Sequence, residues 1–259
     1  MPILAFFLAH WYLSLFTQTF FQHRYAAHRM FTMSAGWEKA FFMLTYITQG
    51  SSFMSPRAYA LLHRMHHAFS DTAQDPHSPH FSNNAFMMMW KTRTIYQDCV
   101  AGTSVAAQRF EGNYPTWNSL EEFGNQWYSR VGWGVVYILF YVNFATAWWQ
   151  FLLLPIHFAI GAVHGAIVNW AGHKYGYQNF DNNDKSRNSL FFDFLTGGEL
   201  FQNNHHKLPM RVNFGVKRWE LDPSYPVIWT LDKVGIIRFR ELQAAARETA
   251  AAQAQAALA

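Results

Sequence analysis

The pentapeptide HRMHH, residues 63–67, is the most informative stretch of this sequence. An α-helix turns about 100° per residue, so side chains three and four positions apart return to one face. His63, His66 and His67 can therefore direct three imidazoles at one point. At the histidine frequency of this chain, an HxxHH pattern is expected by chance only about 0.03 times. The pattern predicts a metal site on a helix.

Five other histidines fall into compact groups that extend this set. His173 stands alone, His205 and His206 are adjacent, and His23 and His28 are five positions apart. Five positions place two side chains about 140° apart on an ideal helix, so that helix should end or distort before both can reach one site. The predicted metal ligands are His23, His28, His63, His66, His67, His173, His205 and His206.

The composition restricts the kind of metal. Cys99 is the only cysteine, which excludes a thiolate cage and a disulfide framework. Eight imidazoles exceed what one tetrahedral zinc can use, so two metals are expected. A site built from many histidines beside an apolar interior suits iron that activates dioxygen. We therefore expect two Fe²⁺ ions and O2 as the cofactors.

Three uncharged stretches are long enough to cross a bilayer, which takes about 20 residues. They are Pro2–Phe21, Val131–Leu154 and Ile156–Gly172, with Pro155 suited to a tight reversal between the last two. Residues 34–53 are also apolar but lie between two histidine groups, so an in-plane or re-entrant helix is expected there. The predicted fold is an all-α integral membrane protein with three transmembrane helices, or four if residues 34–53 cross.

The charge distribution predicts the topology. Lys and Arg residues flank the spans only at the ends away from Pro155, so the histidine-rich end should face the cytoplasm, within a helical cap. The net charge of +4 is scattered without basic runs, which argues against nucleic-acid binding. We expect one domain over residues 1–240 and an Ala/Gln-rich tail at 241–259.

Four motifs together resemble the membrane fatty-acid desaturase family, particularly the acyl-CoA type related to stearoyl-CoA desaturase. They are HRYAAH (23–28), HRMHH (63–67), NWAGH (169–173) and GELFQNNHHKLP (198–209), in the family's order and approximate spacing. The resemblance extends from about Trp11 to Trp219. It implies a di-iron enzyme that uses O2 and electrons to insert a cis double bond, Δ9-like, into a long acyl chain.

The resemblance also implies partners and a location. The substrate would be carried on CoA, acyl carrier protein or a membrane lipid. No cytochrome motif is fused to the chain, so a ferredoxin or a cytochrome would supply electrons. The expected location is a bacterial cytoplasmic membrane, in several passes, with the metal site on the cytoplasmic side.

Two departures from the family pattern stand out. Gln202 occupies the place where many members have the first histidine of a third HxxHH. Only about twenty residues precede the first motif, so one span of the usual first hairpin is expected to be absent. Residues expected around the ligands are Asn169, Gln202, Glu199 and Asp75, and those expected along the acyl channel are Trp11, Leu15, Gln49 and Tyr59.

The remaining histidines are excluded from the predicted site. His10 is isolated in the first span, and His157 and His164 share a helix face that differs from that of His173. His77 and His80 lie in a Pro-flanked polar loop, which predicts a solvated turn.

Three other functions remain open from the residues alone. A di-iron fatty-acid or alkane hydroxylase, or another lipid oxidase, would have the same histidine pattern. A histidine-rich metal transporter would need polar groups along a path through the bilayer, whereas the chosen histidines gather at one side. A purely structural membrane protein is disfavoured by the rarity of HxxHH.

Overall fold

The computed structural model describes residues 1–240, so the predicted tail at 241–259 lies outside the described residues. The described chain is mostly helical. Its α-helices are α1 (Pro2–Thr17), α2 (Ala35–Gln49), α3 (Pro56–Phe69), α4 (Ala85–Ala101), α5 (Asn118–Asn125), α6 (Trp127–Phe144), α7 (Leu154–Phe158), α8 (Ile160–Lys174), α9 (Gln202–Lys207) and α10 (Ser224–Lys233). A π-helix (Gln18–Ala27) continues α1, and two strands, β1 (Phe31–Met33) and β2 (Ile237–Phe239), complete the regular structure apart from short 3₁₀ segments.

One helix in residues 1–240 is long and apolar enough by itself to cross a bilayer. It is the continuous helix Pro2–Ala27, formed by α1 and the π-helix. A second candidate is a bent pair, Trp148–Phe158 with Ile160–Lys174, whose halves meet at 73°. On length and composition, the described chain therefore offers one span, or two if the bent pair counts as one.

The predicted hairpin around Pro155 is wrong in its position. Helix α6 ends at Phe144, and a 3₁₀ segment (Trp148–Leu153) leads into α7, which folds back onto α6 through a hydrogen bond of 2.9 Å between Tyr141 Oη and His157 Nε2. Pro155 lies in the first turn of α7, where its missing N–H leaves no hydrogen bond unmade. The reversal thus precedes Pro155, and neither Val131–Leu154 nor Ile156–Gly172 is one straight helix.

Helix α2 fills most of the stretch predicted to lie in the membrane plane. Ser34 caps its N-terminus by accepting a hydrogen bond from the Trp37 N–H. Its 15 residues extend about 22 Å, short of the roughly 30 Å hydrocarbon core. It ends at Gly50, where φ is +50° and an added Cβ would lie 1.8 Å from Tyr137 Oη, so only glycine fits. Its in-plane orientation stays a prediction.

The elements that carry histidines are held together by an aromatic core and by small residues. Phe20 and Phe21 on the π-helix pack with Phe31 of β1 and Phe201 before α9. The two strands pair antiparallel and bring the end of the described chain back to this core. On the other side, α3 packs against the π-helix where Ala26, Ala27 and Ala60 are buried together. These small side chains let the two backbones approach, so that histidines on both helices can meet.

Candidate metal centre

The π-helix solves the spacing problem of His23 and His28. The His28 N–H donates to the His23 carbonyl oxygen at 3.1 Å, an i to i+5 hydrogen bond. A π-turn is wider than an α-turn and brings residues five apart towards one face. The imidazole rings of the two residues lie 5.0 Å apart. The predicted helix distortion between them is thus confirmed.

The first cluster unites five histidines from three separate parts of the chain. Their ligand nitrogens all lie within 4.8 Å of one another, and they belong to His23, His28, His63, His67 and His205. The Nε2 atoms are 2.7 Å apart for His28 and His63, and 3.0 Å apart for both His23 and His67 with His205. Adjacent ligands at 2.1 Å from one ion lie about 3 Å apart. The cluster therefore has the dimensions of a metal coordination shell.

The second cluster consists of His66, His173 and His206. The Nε2 atoms of His66 and His206 are 3.2 Å apart. His173 Nε2 is buried and has no hydrogen-bond partner within residues 1–240. A buried imidazole nitrogen aimed at two others is what a bound metal would satisfy.

Neighbouring histidines on α3 and α9 serve different clusters. His67 and His205 belong to the first, whereas His66 and His206 belong to the second. Consecutive Cα atoms are 3.8 Å apart, so two ions held in this way must be close neighbours. The eight histidines chosen from the sequence are therefore brought together, as two groups of five and three.

Each histidine of the second cluster has a carboxylate behind it. Nδ1 of His66 is 3.0 Å from Asp75, Nδ1 of His173 is 2.8 Å from Asp71, and Nδ1 of His206 is 2.6 Å from Asp184. A carboxylate at Nδ1 fixes the tautomer and leaves Nε2 free for metal. Asp75 was anticipated. Asp71 and Asp184 were not, although Asp71 stands four residues before Asp75 in the same segment.

These carboxylates are ionised. Burial disfavours the charge of Asp71, but the hydrogen bond that its carboxylate accepts from His173 outweighs burial and lowers the pKa of Asp71 to about 2. The pKa values of Asp75 and Asp184 are lowered in the same way by His66 and His206. The second cluster is therefore surrounded by three negative charges, which favour a bound cation.

The surroundings of the first cluster favour the neutral form of three of its histidines. Burial, and then the neighbouring histidines, hold the pKa values of His63, His67 and His205 well below their usual range. Neutral imidazole is the form that binds metal. The Glu199 carboxylate lies at this cluster, with its Oε2 2.6 Å from His23 Nδ1. It is also hydrogen-bonded to Thr19 and is buried, as expected for a residue that orients a ligand.

A buried ion pair lies directly beside the first cluster. Arg24 is fully buried and its Nη2 is 2.6 Å from Asp222. Its guanidinium also stacks on Phe214 at 3.9 Å, and Phe214 contacts the His205 ring at 4.6 Å. Arg24 is thus part of the packing around the histidines and not a charge facing the cytosol.

A cavity of about 450 Å³ lies beside the metal centre and is also lined by residues of α8 from Gly161 to Asn169. His63, Glu199 and Gln202 line it at the metal end. Of the predicted channel residues, Leu15 and Tyr59 line it, and so does Asn169. Two channel predictions are not supported by the geometry. Gln49 instead forms hydrogen bonds with Gln22 and the Met54 N–H, and Trp11 packs behind His164.

Gln202 turns away from the histidines. Its Nε2 donates to the Glu199 carbonyl oxygen at 2.7 Å. Its side chain packs against Gly172, so closely that a Cβ on that glycine would lie 2.5 Å from Gln202 Cγ. The position nevertheless shares a helix face with His205 and His206, three and four residues on. Whether the amide meets the metal stays a prediction, because the side chain is directed elsewhere in this structure.

The prediction of a solvated turn at His77 and His80 is wrong for His77. His77 is 4% exposed, its ring lies 4.3 Å from that of His66, and neither of its nitrogens has a partner in the described chain. His80 is half-buried, and its Nε2 is 2.9 Å from the His173 carbonyl oxygen. Two hydrogen bonds hold this loop against the metal centre: Asp71 accepts one from the Ser78 hydroxyl, and Asp75 accepts one from the backbone N–H of His77.

The three histidines within the helix bundle lie outside both clusters. His10 Nδ1 and His157 Nδ1 are 2.5 Å apart, so these two residues satisfy each other. His164 is buried against Trp11, with ring centroids 4.5 Å apart, and neither ring nitrogen has a partner in residues 1–240.

Comparison with known proteins agrees with this geometry. The family model described as "Fatty acid desaturase" matches residues 1–241. The chain is 28% identical over 245 residues to a hex-5-enoyl-[acyl-carrier protein] acetylenase of Moorena producens, covering 88% of this chain and 73% of that protein. It is 29% identical over 227 residues to the delta-9 desaturase-like 2 protein of Arabidopsis thaliana, with coverages of 84% and 70%. It is 30% identical over 221 residues to an sn-1 stearoyl-lipid 9-desaturase of Synechocystis sp., with coverages of 83% and 64%.

Proposed function

Because the chain belongs to the fatty acid desaturase family and is therefore an O2-dependent oxidoreductase, we propose that it inserts a cis double bond into a long acyl chain at two irons held by the eight clustered histidines. The observation that carries this proposal is the division of adjacent histidines between two clusters. His66 and His67 belong to different clusters, as do His205 and His206, and this division supports two neighbouring metal sites beside one cavity.

The donor set fits iron. Imidazole nitrogens with carboxylates behind them suit a divalent transition metal, and the described clusters contain no thiolate. When bound, two irons would supply the activation of dioxygen that the removal of two unactivated hydrogens requires.

The protein's own residues position the ligands and the substrate. His23, His28, His63, His67 and His205 would hold one ion, and His66, His173 and His206 the other. Glu199, Asp71, Asp75 and Asp184 orient the rings from behind. The cavity wall excludes water and holds the chain, with Leu15 and Tyr59 beside it and Asn169 near the second cluster.

The finer details of the proposal rest on the relatives. Two of them are named for position 9, which supports a Δ9-like double bond. Their names mention a lipid in one case and an acyl carrier protein in another, so the proposed substrate is an acyl chain carried on a lipid, an acyl carrier protein or CoA. Electrons would come from a separate ferredoxin or cytochrome.

We further propose that the protein is an integral membrane enzyme with its metal centre on the cytoplasmic side. The apolar helix Pro2–Ala27 carries His23 near its C-terminal end, and the bent pair carries His173 at its C-terminal end, next to the exposed Lys174. Both candidate spans thus deliver their metal ligands to one side of the bundle. The proposal also includes α6 as a further span and α2 as an in-plane or re-entrant helix.

Fatty-acid profiling of a host that expresses the chain tests the proposed function. Wild-type protein should produce a new monounsaturated chain, His66→Ala should produce none, and the control His80→Gln should behave as wild type because an amide can still donate to His173. Iron analysis should give about two irons per wild-type chain. A hydroxylated product would show that the protein is a lipid hydroxylase instead of a desaturase. Equal fatty-acid profiles for wild type and His66→Ala would refute the metal assignment.

A further inference from the structure

His164 is a fully buried imidazole in the wall of the acyl cavity. Neither of its ring nitrogens has a hydrogen-bond partner within residues 1–240. Leaving a buried polar group unpaired is costly, so native proteins rarely do so without a function for the group. The proposed desaturation does not use His164, because it belongs to neither histidine cluster.

The imidazole is directed into the cavity by its place on α8. Gly161, His164 and Val168 are three and four residues apart, share one helix face and all line the cavity. Gly165, the residue after His164, also lines the cavity. Trp11 packs against His164, with the two rings perpendicular and their centroids 4.5 Å apart. The indole N–H already donates to the Leu195 carbonyl oxygen and cannot serve as the partner.

His164 lies far from the metal end. It precedes His173 by nine residues on one helix, a distance of about 13 Å along the axis. Two other cavity-lining groups have no partner in the described chain, the His77 ring and Gln18 Oε1, and both lie near the clusters. The His77 ring contacts His66. Gln18 immediately precedes Thr19, which is hydrogen-bonded to Glu199. Thr92, a polar residue of the same wall, is satisfied because its hydroxyl donates to Pro76 and Met88 carbonyls. Arg93 and Gln97 of the same wall are exposed, and Arg130 donates to the Ser51 and Phe53 carbonyl oxygens. Among the described residues, His164 is thus the buried lining side chain away from the clusters whose polar atoms have no partner.

The position and chemistry of His164 identify the group it would bind. A carrier such as CoA, a protein or a lipid head group is too large for a cavity of about 450 Å³, so only the acyl chain can reach a buried wall residue. A neutral imidazole offers one donor and one acceptor, and a hydroxyl group can pair with either. Resting on the function proposed above, we infer that His164 recognises a hydroxyl group on the distal part of the acyl chain, so that the preferred substrates are hydroxylated long-chain acyl groups.

A binding comparison tests this inference independently of turnover. Palmitate and omega-hydroxypalmitate would each displace a fluorescent fatty acid from the iron-loaded protein in detergent. The wild type should bind the hydroxylated chain about tenfold more tightly than the plain one, the effect of one hydrogen bond in a desolvated site. In His164→Leu this preference should disappear, and in His164→Gln, which keeps a donor and an acceptor, most of it should remain. The control Thr92→Val should keep the wild-type preference, because the Thr92 hydroxyl is already bonded within the protein.

The outcomes separate the inference from the proposed function. Equal binding of both chains by the wild type, or an equal preference in wild type and His164→Leu, would overturn the inference even if a double bond is formed. If the wild type prefers the hydroxylated chain and His164→Leu loses that preference, the inference is upheld even when neither chain becomes unsaturated. The absence of an unsaturated product would count only against the proposed desaturation. Iron content and thermal midpoint are measured for each variant, and if His164→Leu does not fold, His164→Phe and His164→Gln supply the comparison.

Discussion

Replacement of the carboxylate behind His206 should weaken one metal site and leave its neighbour intact. Asp184→Asn keeps the size of the side chain and removes its charge. His206 Nδ1 lies 2.6 Å from Asp184, and the two side chains are 3% and 11% exposed, so solvent screens the interaction little. A hydrogen bond to a charged group contributes about 1.5–3 kcal/mol and a neutral one about 0.5–1.5 kcal/mol. The change should therefore cost about 1–2 kcal/mol of binding free energy, or about 5–30-fold in the affinity for one ion.

Iron titration in competition with a chelator measures this effect. Of the two dissociation constants, the one for the three-histidine cluster of His66, His173 and His206 should rise, and the other should stay at its wild-type value. Asp181→Asn is the matched control, because Asp181 is an exposed residue of the same segment. Equal weakening of both sites, or of neither, would refute the role assigned to the carboxylate.

Three further predictions concern the framework of the site. Arg24→Met should destabilise the protein by about 3–5 kcal/mol because it leaves Asp222 buried and unpaired, and Arg24→Met with Asp222→Leu should recover part of that loss in denaturant titrations. Gly172→Ala should lower the free energy of unfolding by about 1–2 kcal/mol and release iron from the three-histidine cluster. A Cβ at this position would lie 2.5 Å from Gln202 Cγ, and this overpacking outweighs the gain in helix propensity. Unchanged iron content would contradict the prediction. Chelation of both irons should lower the thermal midpoint of unfolding, and re-addition of Fe²⁺ should restore the midpoint. The loss of stability is about 2.7 kcal/mol per site when free iron was present at 100 times its dissociation constant. Equal midpoints before and after chelation would count against metal binding by the folded state.

The sequence predicted which histidines come together because helix geometry is local. HxxHH places its side chains on one face wherever the helix lies, and the spacing of His23 and His28 required a distorted helix, which the π-helix provides. The carboxylates at Asp71 and Asp184 could not be assigned in the same way. Each reaches its histidine across more than twenty residues of chain, and no local periodicity encodes such a contact.

The errors in the fold have physical causes as well. Proline suits both a reversal and the first turn of a helix, so Pro155 alone could not locate the turn that the structure places before it. His77 was expected in solvent because its neighbours are polar. Those neighbours are instead the groups that draw the loop inward, through hydrogen bonds to Asp71 and Asp75.

The sharing of consecutive residues between two metal sites has a mechanical consequence. Any displacement of α3 moves His66 and His67 together, and any displacement of α9 moves His205 and His206 together. Thermal motion of either helix would therefore shift the ligands of two bound ions in concert, so that the gap between the ions would vary less than the position of either one. Two ions held by these clusters would be linked mechanically by two peptide bonds.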